Sequence, residues 1–207
     1  MLITDAKARS IGRQIVRIEP RFAPVVAAFS PCPIGVQKPR QSAFASLASS
    51  IISQQLSTKA AATITDRIRS SCGGVLDAAQ IAEFKLTELR TLGCSQSKAR
   101  ALSELATAVT TKELNLRSLA RKSDAEVIEH LLPYFGIGKW TVEMYLIFQL
   151  GRLDVWPVGD LGVRRGWEKI HRRSAEIEIS ELAYAGAKFA PYRSHLAWYC
   201  WRALSLN

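Results

Sequence analysis

LLPYFGIGKWTVEMYLIFQLGRLDVWPVGDLGVRRGW, residues 131–167, decides how the rest of this chain is read. Gly136-Ile137-Gly138 forms a tight hairpin between two stretches of helical apolar spacing, 124–132 and 139–150. Glycine permits backbone angles closed to other residues and lets a second backbone come close. The amides around Gly136, Gly138 and Trp140 stand at the start of the next helix, where N–H groups and the helix dipole favour a phosphate. Lys139 and Thr141 belong to the same candidate grip. Carbonyls on the outer side of the turn, those of Leu132, Tyr134 and Ile137, are candidate ligands for a monovalent cation, sodium or potassium, that bridges to the same phosphate. A plain helix–helix turn with a glycine cap fits the same letters. About twenty residues on, Asp160 lies between Pro157-Val158-Gly159 and a helical run that begins near Leu161. A helix N-terminus there favours the ionised carboxylate. An ordinary capping aspartate is the competing reading.

Working outward, the 207 residues suffice for one large domain or two small interleaved lobes. Hydrophobic residues make up 48%, which excludes disorder, and the net charge of +10 favours a polyanionic partner such as nucleic acid. No apolar run approaches the roughly 20 residues that span a bilayer. The N-terminus does not resemble a signal peptide, so a cytoplasmic protein is expected. Cys32, Cys72, Cys94 and Cys200 form no close pair and no cluster, which argues against zinc, redox and iron–sulfur chemistry. His130, His171 and His195 do not make a metal-ligand set.

Helical periodicity dominates. A run from Ser42 to about Ser71 stops at Gly73-Gly74 and is broken at the polar Ser53-Gln54-Gln55-Leu56-Ser57. Further helices are expected near 86–92, 97–109, 160–171, 180–189 and 192–205. Ser123 is the expected N-cap of the helix at 124–132. The Pro-rich first forty residues read as an extended arm leading into a helix or two. Strand signals are nearly absent, so the expected fold is all-α, with eight to ten helices and no visible domain boundary.

Four ordered segments resemble the helix-hairpin-helix DNA glycosylases. The first is the hairpin with its Gly/Pro-rich loop and aspartate. Ile51 to Ser57 resembles the family's segment that fills the gap left by a flipped base. Leu89-Arg90-Thr91-Leu92-Gly93-Cys94-Ser95-Gln96-Ser97-Lys98-Ala99 resembles a second LG-containing turn. Pro191-Tyr192-Arg193-Ser194-His195-Leu196-Ala197-Trp198-Tyr199-Cys200-Trp201 is similar to the PWRS…A…YxW signature of the alkylation-repair branch. The resemblance runs from about 40 to 203 and implies a two-lobed helical unit, 1–207, with a cleft and the hairpin on its rim. It is nearest to the 3-methyladenine branch in a short form, without the N-terminal β-rich domain of longer relatives.

The resemblance implies a monomeric base-excision enzyme acting on double-stranded DNA with alkylated bases, with Asp160 as the catalytic carboxylate. It implies Gln55, with Gln54, as the inserting residue. Ser57, Gly136, Gly138, Lys139, Thr141, Arg164 and Arg165 are expected at the DNA. Trp140, Met144, Trp156, Tyr192 and Trp198 are expected around the base, since an electron-rich aromatic pocket attracts a cationic purine. Bifunctional members carry a nucleophilic lysine where this chain has Trp140, so hydrolysis without strand cleavage is expected, and no cofactor beyond the hairpin cation. Three other readings stay open: a glycosylase for mismatched, deaminated or oxidised bases, a non-catalytic helix-hairpin-helix module, and a basic all-α interaction protein.

Overall fold

The computed structural model describes residues 2–206, which form twelve α-helices and no strand. They fall into two compact units. One is Pro39–Tyr145, and the other joins both chain ends, Met1–Lys38 with Leu146–Asn207.

In the middle unit, α3 (Ala43–Ser53) is the buried spine. Its apolar positions Phe44, Leu47, Ala48, Ile51 and Ile52 recur at three- and four-residue spacing and are all buried. Around it pack α4 (Thr58–Ser71), α7 (Gln96–Thr110) and α9 (Lys139–Met144). The short α5 (Ala78–Glu83) and α6 (Leu86–Thr91) support α7. Helix α8 (Asp124–Leu131) starts on a capping box, in which the Ser123 hydroxyl accepts from the Glu126 amide and the Glu126 carboxylate accepts from the Ser123 amide.

In the terminal unit, α1 (Asp5–Ile18) buries Ala8, Ile11, Gly12 and Ile15, and α2 (Ala23–Phe29) follows after one 3₁₀ turn. Helix α10 (Leu161–His171) packs against α12 (Arg193–Ala203), while α11 (Ile179–Ala187) closes the chain between them. The close approach of α10 and α12 depends on Gly166, where a methyl group would overlap the Cys200 carbonyl. An aromatic cluster of Phe22, Trp167 and Phe189 fills the core, with ring centroids 5.8 to 6.3 Å apart.

Three expectations need correction. The first forty residues are not an extended arm: α1 begins at Asp5, capped by the Thr4 hydroxyl. Pro20 and Pro24 sit in first-turn positions, where a missing N–H costs nothing. The helix expected over 139–150 is regular only to Met144 and continues as a π-helical turn, Tyr145–Gln149. The number of helices exceeds ten because α2 and α5 have only seven and six residues, too few to show a period, while α6 lies where the helix near 86–92 was expected. Among the described residues, no helix is long and apolar enough to cross a membrane. The four cysteines are buried and unpaired by disulfides.

Candidate active site and nucleic-acid interface

Asp160 is the N-cap of α10 and is only 9% exposed. Its Oδ1 accepts two hydrogen bonds, from the Val163 amide at 2.8 Å and from the Trp201 indole Nε1 at 2.8 Å. Two donors on one oxygen fix the rotation of the carboxylate. A cap needs only the first of them; the indole, from α12, exceeds what capping requires. Gly162 makes the second possible, since a Cβ there would lie 2.8 Å from Trp201 and 3.1 Å from Asp160 Oδ1. Half-exposed Phe148 lies beside the same indole, with ring centroids 5.4 Å apart and planes at 30°. The terminal unit therefore presents a held carboxylate next to an aromatic pair.

The loop that carries Asp160 is anchored by the start of α12. The Arg193 guanidinium donates to both carboxylate oxygens of Asp154, at 2.7 and 2.9 Å. The Ser194 amide donates to the Leu153 carbonyl, and the Ser194 hydroxyl accepts from the Val155 amide. The Arg-Ser part of the C-terminal signature thus sets the position of the loop that leads to Asp160.

The other expected site residues of this unit take varied places. Trp156 is buried, its indole N–H bonded to the Leu182 carbonyl at 3.0 Å and its ring against Gly186. Tyr192 lies under the Lys7 ammonium, 5.2 Å from the ring centroid. Trp198 packs edge-on against Phe29 and lies near the Arg202 guanidinium. Arg164 and Arg165 both pair with Glu176, and Arg165 also pairs with Glu168, which ties the 172–178 loop to α10. His195 is fully buried with Nε2 3.0 Å from the Ile34 carbonyl, and burial pushes its pKa down to about 4.

In the middle unit the hairpin has two glycines in different situations. Gly136 has φ 78°, and a methyl group on it would overlap Ala101 of α7. Gly138 is in extended backbone as N-cap of α9, with nothing within 4 Å of an added Cβ. Helix geometry leaves first-turn amides without a carbonyl one turn back, so the Gly138 side of the turn is open to an anion's approach. The Lys139 side chain is 72% exposed and 3.9 Å from Glu143. Met144 is buried, and Trp140 is partly so. The Tyr134 carbonyl accepts the Ile137 amide at 3.1 Å.

The segment expected to enter DNA follows the same α3 that supports the hairpin. Gln54 does not point outward: its Nε2 donates to the Gly136 carbonyl at 2.8 Å and to the Thr141 hydroxyl at 2.9 Å. The Thr141 side chain is accordingly buried, so any contact it makes with an anion is through its backbone. Gln55 is exposed and sits at φ 55°, a left-handed conformation that costs a non-glycine residue about 1–3 kcal/mol. Ser57 caps α4 by accepting from the Ala60 amide.

Trp201 and Phe148 were not singled out by the sequence, which put Trp198 forward instead. The available signal was Gly162 and Gly166, four apart on α10. They strip one helix face bare beginning two residues after Asp160.

Comparison with known proteins shows the family to which the chain belongs. The model of the HhH-GPD superfamily base excision DNA repair protein matches residues 48–189. DNA-3-methyladenine glycosylase 1 of Schizosaccharomyces pombe is 35% identical over 165 residues, 75% of this chain and 70% of that protein. The DNA-3-methyladenine glycosylase of Saccharomyces cerevisiae is 33% identical over 199 residues, 79% of this chain and 67% of that protein. Among solved structures, the Schizosaccharomyces pombe 3-methyladenine DNA glycosylase in complex with abasic DNA is similar at a TM-score of 0.81 and 31% identity, covering 90% of this chain and 91% of that one. With the hairpin, the held aspartate and a family match over most of its length, the chain belongs to the HhH-GPD superfamily of base excision DNA repair proteins.

Proposed function

We propose that this chain is a monofunctional DNA glycosylase that removes alkylated purines of the 3-methyladenine and 7-methylguanine type from duplex DNA, acting as a monomer in the cytoplasm. The observation that carries it is Asp160, a buried carboxylate whose Oδ1 is held by both its own helix and the Trp201 indole. The two glycosylase relatives and the DNA-bound neighbour supply the substrate class.

The hairpin takes a phosphate on the first turn of α9, with Gly138 leaving room and Lys139 adding charge. Ser57, Thr141, Arg164 and Arg165 stay as further backbone contacts, the two arginines at the expense of their pairing with Glu176. Extruding a base costs a few kcal/mol of stacking, and Gln55 fills the space vacated. A cationic purine stacked over a ring face of the Phe148–Trp201 pair is attracted by about 0.5–2 kcal/mol of cation–π energy. Trp140, Met144, Trp156, Tyr192 and Trp198 remain the further pocket candidates.

As the C1′–N bond breaks, its electron pair leaves with the base and neutralises the purine's charge. The sugar becomes cationic, and the Asp160 carboxylate stabilises it electrostatically. Water adds to C1′ and gives its proton to Asp160. No redox or metal chemistry is needed. A monovalent cation at the carbonyls of Leu132, Tyr134 and Ile137 would serve only the phosphate grip. The Tyr134 carbonyl retains a second lone pair for it besides the bond from Ile137.

The test is chromatography of the bases released from methylated duplex DNA. Free 3-methyladenine and 7-methylguanine are expected. Release of uracil or an oxidised purine in their place would move the enzyme to another substrate class.

A further inference from the structure

The wedge proposed at Gln55 holds a left-handed conformation that a non-glycine residue keeps only where its surroundings over-determine it. Two side chains do so here. Helix α3 ends at Ser53, and carbonyls at a helix C-terminus lack N–H partners and attract a cation. The Lys98 ammonium of α7 supplies it, donating to the Ile52 carbonyl and the Gln54 carbonyl, each at 2.7 Å. From the same turn the Gln54 amide reaches across 82 residues of sequence to the Gly136 carbonyl and across 87 to the Thr141 hydroxyl. Ala101, one turn beyond Lys98 on α7, packs where a Gly136 side chain would be. The chain leading into Gln55, the first turn of α9 and the N-terminal half of α7 are thereby joined by directional bonds.

We propose that Gln54 and Lys98 are positioning residues that hold the Gln55 wedge at a set offset from the phosphate-gripping hairpin, so that capture of the strand and extrusion of the base act as one rigid step. This rests on the wedge and hairpin roles proposed above. It also separates the two adjacent glutamines: Gln55 enters the duplex, and Gln54 is the strut behind it. The phosphate grip itself belongs to α9 and does not need the strut. Losing an interaction made only as the base leaves the stack lowers the rate without weakening ground-state binding.

Gln54→Leu and Lys98→Met remove the polar ends while keeping most of the volume, and Lys98→Arg keeps a cation for the two carbonyls. Three quantities are measured on the full chain: affinity for undamaged duplex, single-turnover release of 7-methylguanine at saturating enzyme, and hydrogen–deuterium exchange of the free protein. Both variants are expected to bind undamaged duplex within about threefold of the parent and to release base about tenfold or more slowly. Lys98→Arg should recover much of the rate. Gln54→Leu combined with Gln55→Ala should be no slower than Gln55→Ala alone, because the strut has nothing left to position. Exchange should quicken at 54–57 in both variants, and at 136–141 in Gln54→Leu. Unchanged exchange at these segments overturns the proposal whatever the activity, as do full rates of base release, rate losses that multiply with that of Gln55→Ala, or affinity falling in step with rate. If the parent releases no alkylated base yet exchange changes as stated, the substrate reading fails and the strut stands.

Discussion

The Trp201 indole donates to Asp160 Oδ1 at 2.8 Å from a helix that begins 33 residues after the aspartate, over the bare backbone of Gly162. A hydrogen bond to a charged group contributes about 1.5–3 kcal/mol, enough to hold the carboxylate in one orientation through the reaction.

Asp160→Asn should abolish base release and leave affinity for DNA equal or higher, because the amide no longer balances a cationic sugar or repels phosphates. Trp201→Phe keeps one aromatic ring beside Phe148 and removes the N–H together with the rest of the indole. It should slow release by about tenfold or more while retaining the fold. Single-turnover assays on methylated duplex check both. Near-parental release by a folded Asp160→Asn protein would exclude this carboxylate from the chemistry.

The hairpin glycines should separate under mutation. Gly136→Ala places a side chain at positive φ and into Ala101, so it should cost at least about 1–2 kcal/mol and several degrees of melting temperature. Gly138→Ala has open space and extended backbone, so the melting temperature should hold. Gly138→Asp should also fold, yet weaken binding to every duplex about equally, since the phosphate contact reads no base. Thermal melts beside binding titrations distinguish the two; parental DNA affinity in Gly138→Asp would reduce the hairpin to a structural turn.

Acid should destabilise the protein before its carboxylates titrate. His195 has its pKa pushed down to about 4 by burial, and burial also lowers that of His171. The unfolded chain, with an ordinary histidine near 6.5, binds these protons more readily, so stability is present above that pH and lost as pH falls toward 4. For His195 the loss is about 3 kcal/mol across that window. Glu19 and Glu168, held below the usual carboxylate range against their own burial by hydrogen bonds from Arg21, the Ile177 amide and Arg165, add a further loss below about 4.5. Urea unfolding at a series of pH values should show this slope, and His195→Gln should flatten it between 6.5 and 4. An unchanged slope in that variant would assign the loss elsewhere.

The sequence resemblance puts Trp140 at the position of the lyase members' nucleophilic amine, an expectation, and Lys139 lies one residue, or about 100°, away around the helix. The product should therefore be an intact strand with an abasic site, cut only by hot alkali or an added endonuclease. Borohydride should trap no protein–DNA adduct during turnover. Efficient trapping that disappears in Lys139→Ala would shift the hairpin alignment by one residue and make the enzyme a lyase.

Much of this was legible from local sequence. Ser123 with Glu126, Asp160 before Leu161 and the Gly136-Ile137-Gly138 turn are short-range features, because a cap or a tight turn is settled within four residues of backbone. The all-α class follows from the same kind of information, since a 3.6-residue period belongs to each segment alone. Helices of six or seven residues, such as α2 and α5, fell below what a period can show. The helix at Asp5 was obscured by prolines that only begin the elements after it.

Pairings across long separations needed the tertiary structure. Trp198 and Trp201 are equivalent as letters three apart on one helix; α2 engages the first at Phe29, and α10 offers the second the Asp160 carboxylate. Gln54 and Gln55 are identical side chains next to each other, and only the arrival of Gly136, Thr141 and Lys98 gives one residue three bonds and leaves the other at positive φ in solvent. The sequence by itself determined which chemistry this chain carries, because that chemistry resides in residue types and local turns. Which tryptophan holds the aspartate and which glutamine is left exposed were decided by packing, because a hydrogen bond's partner is set by proximity in space.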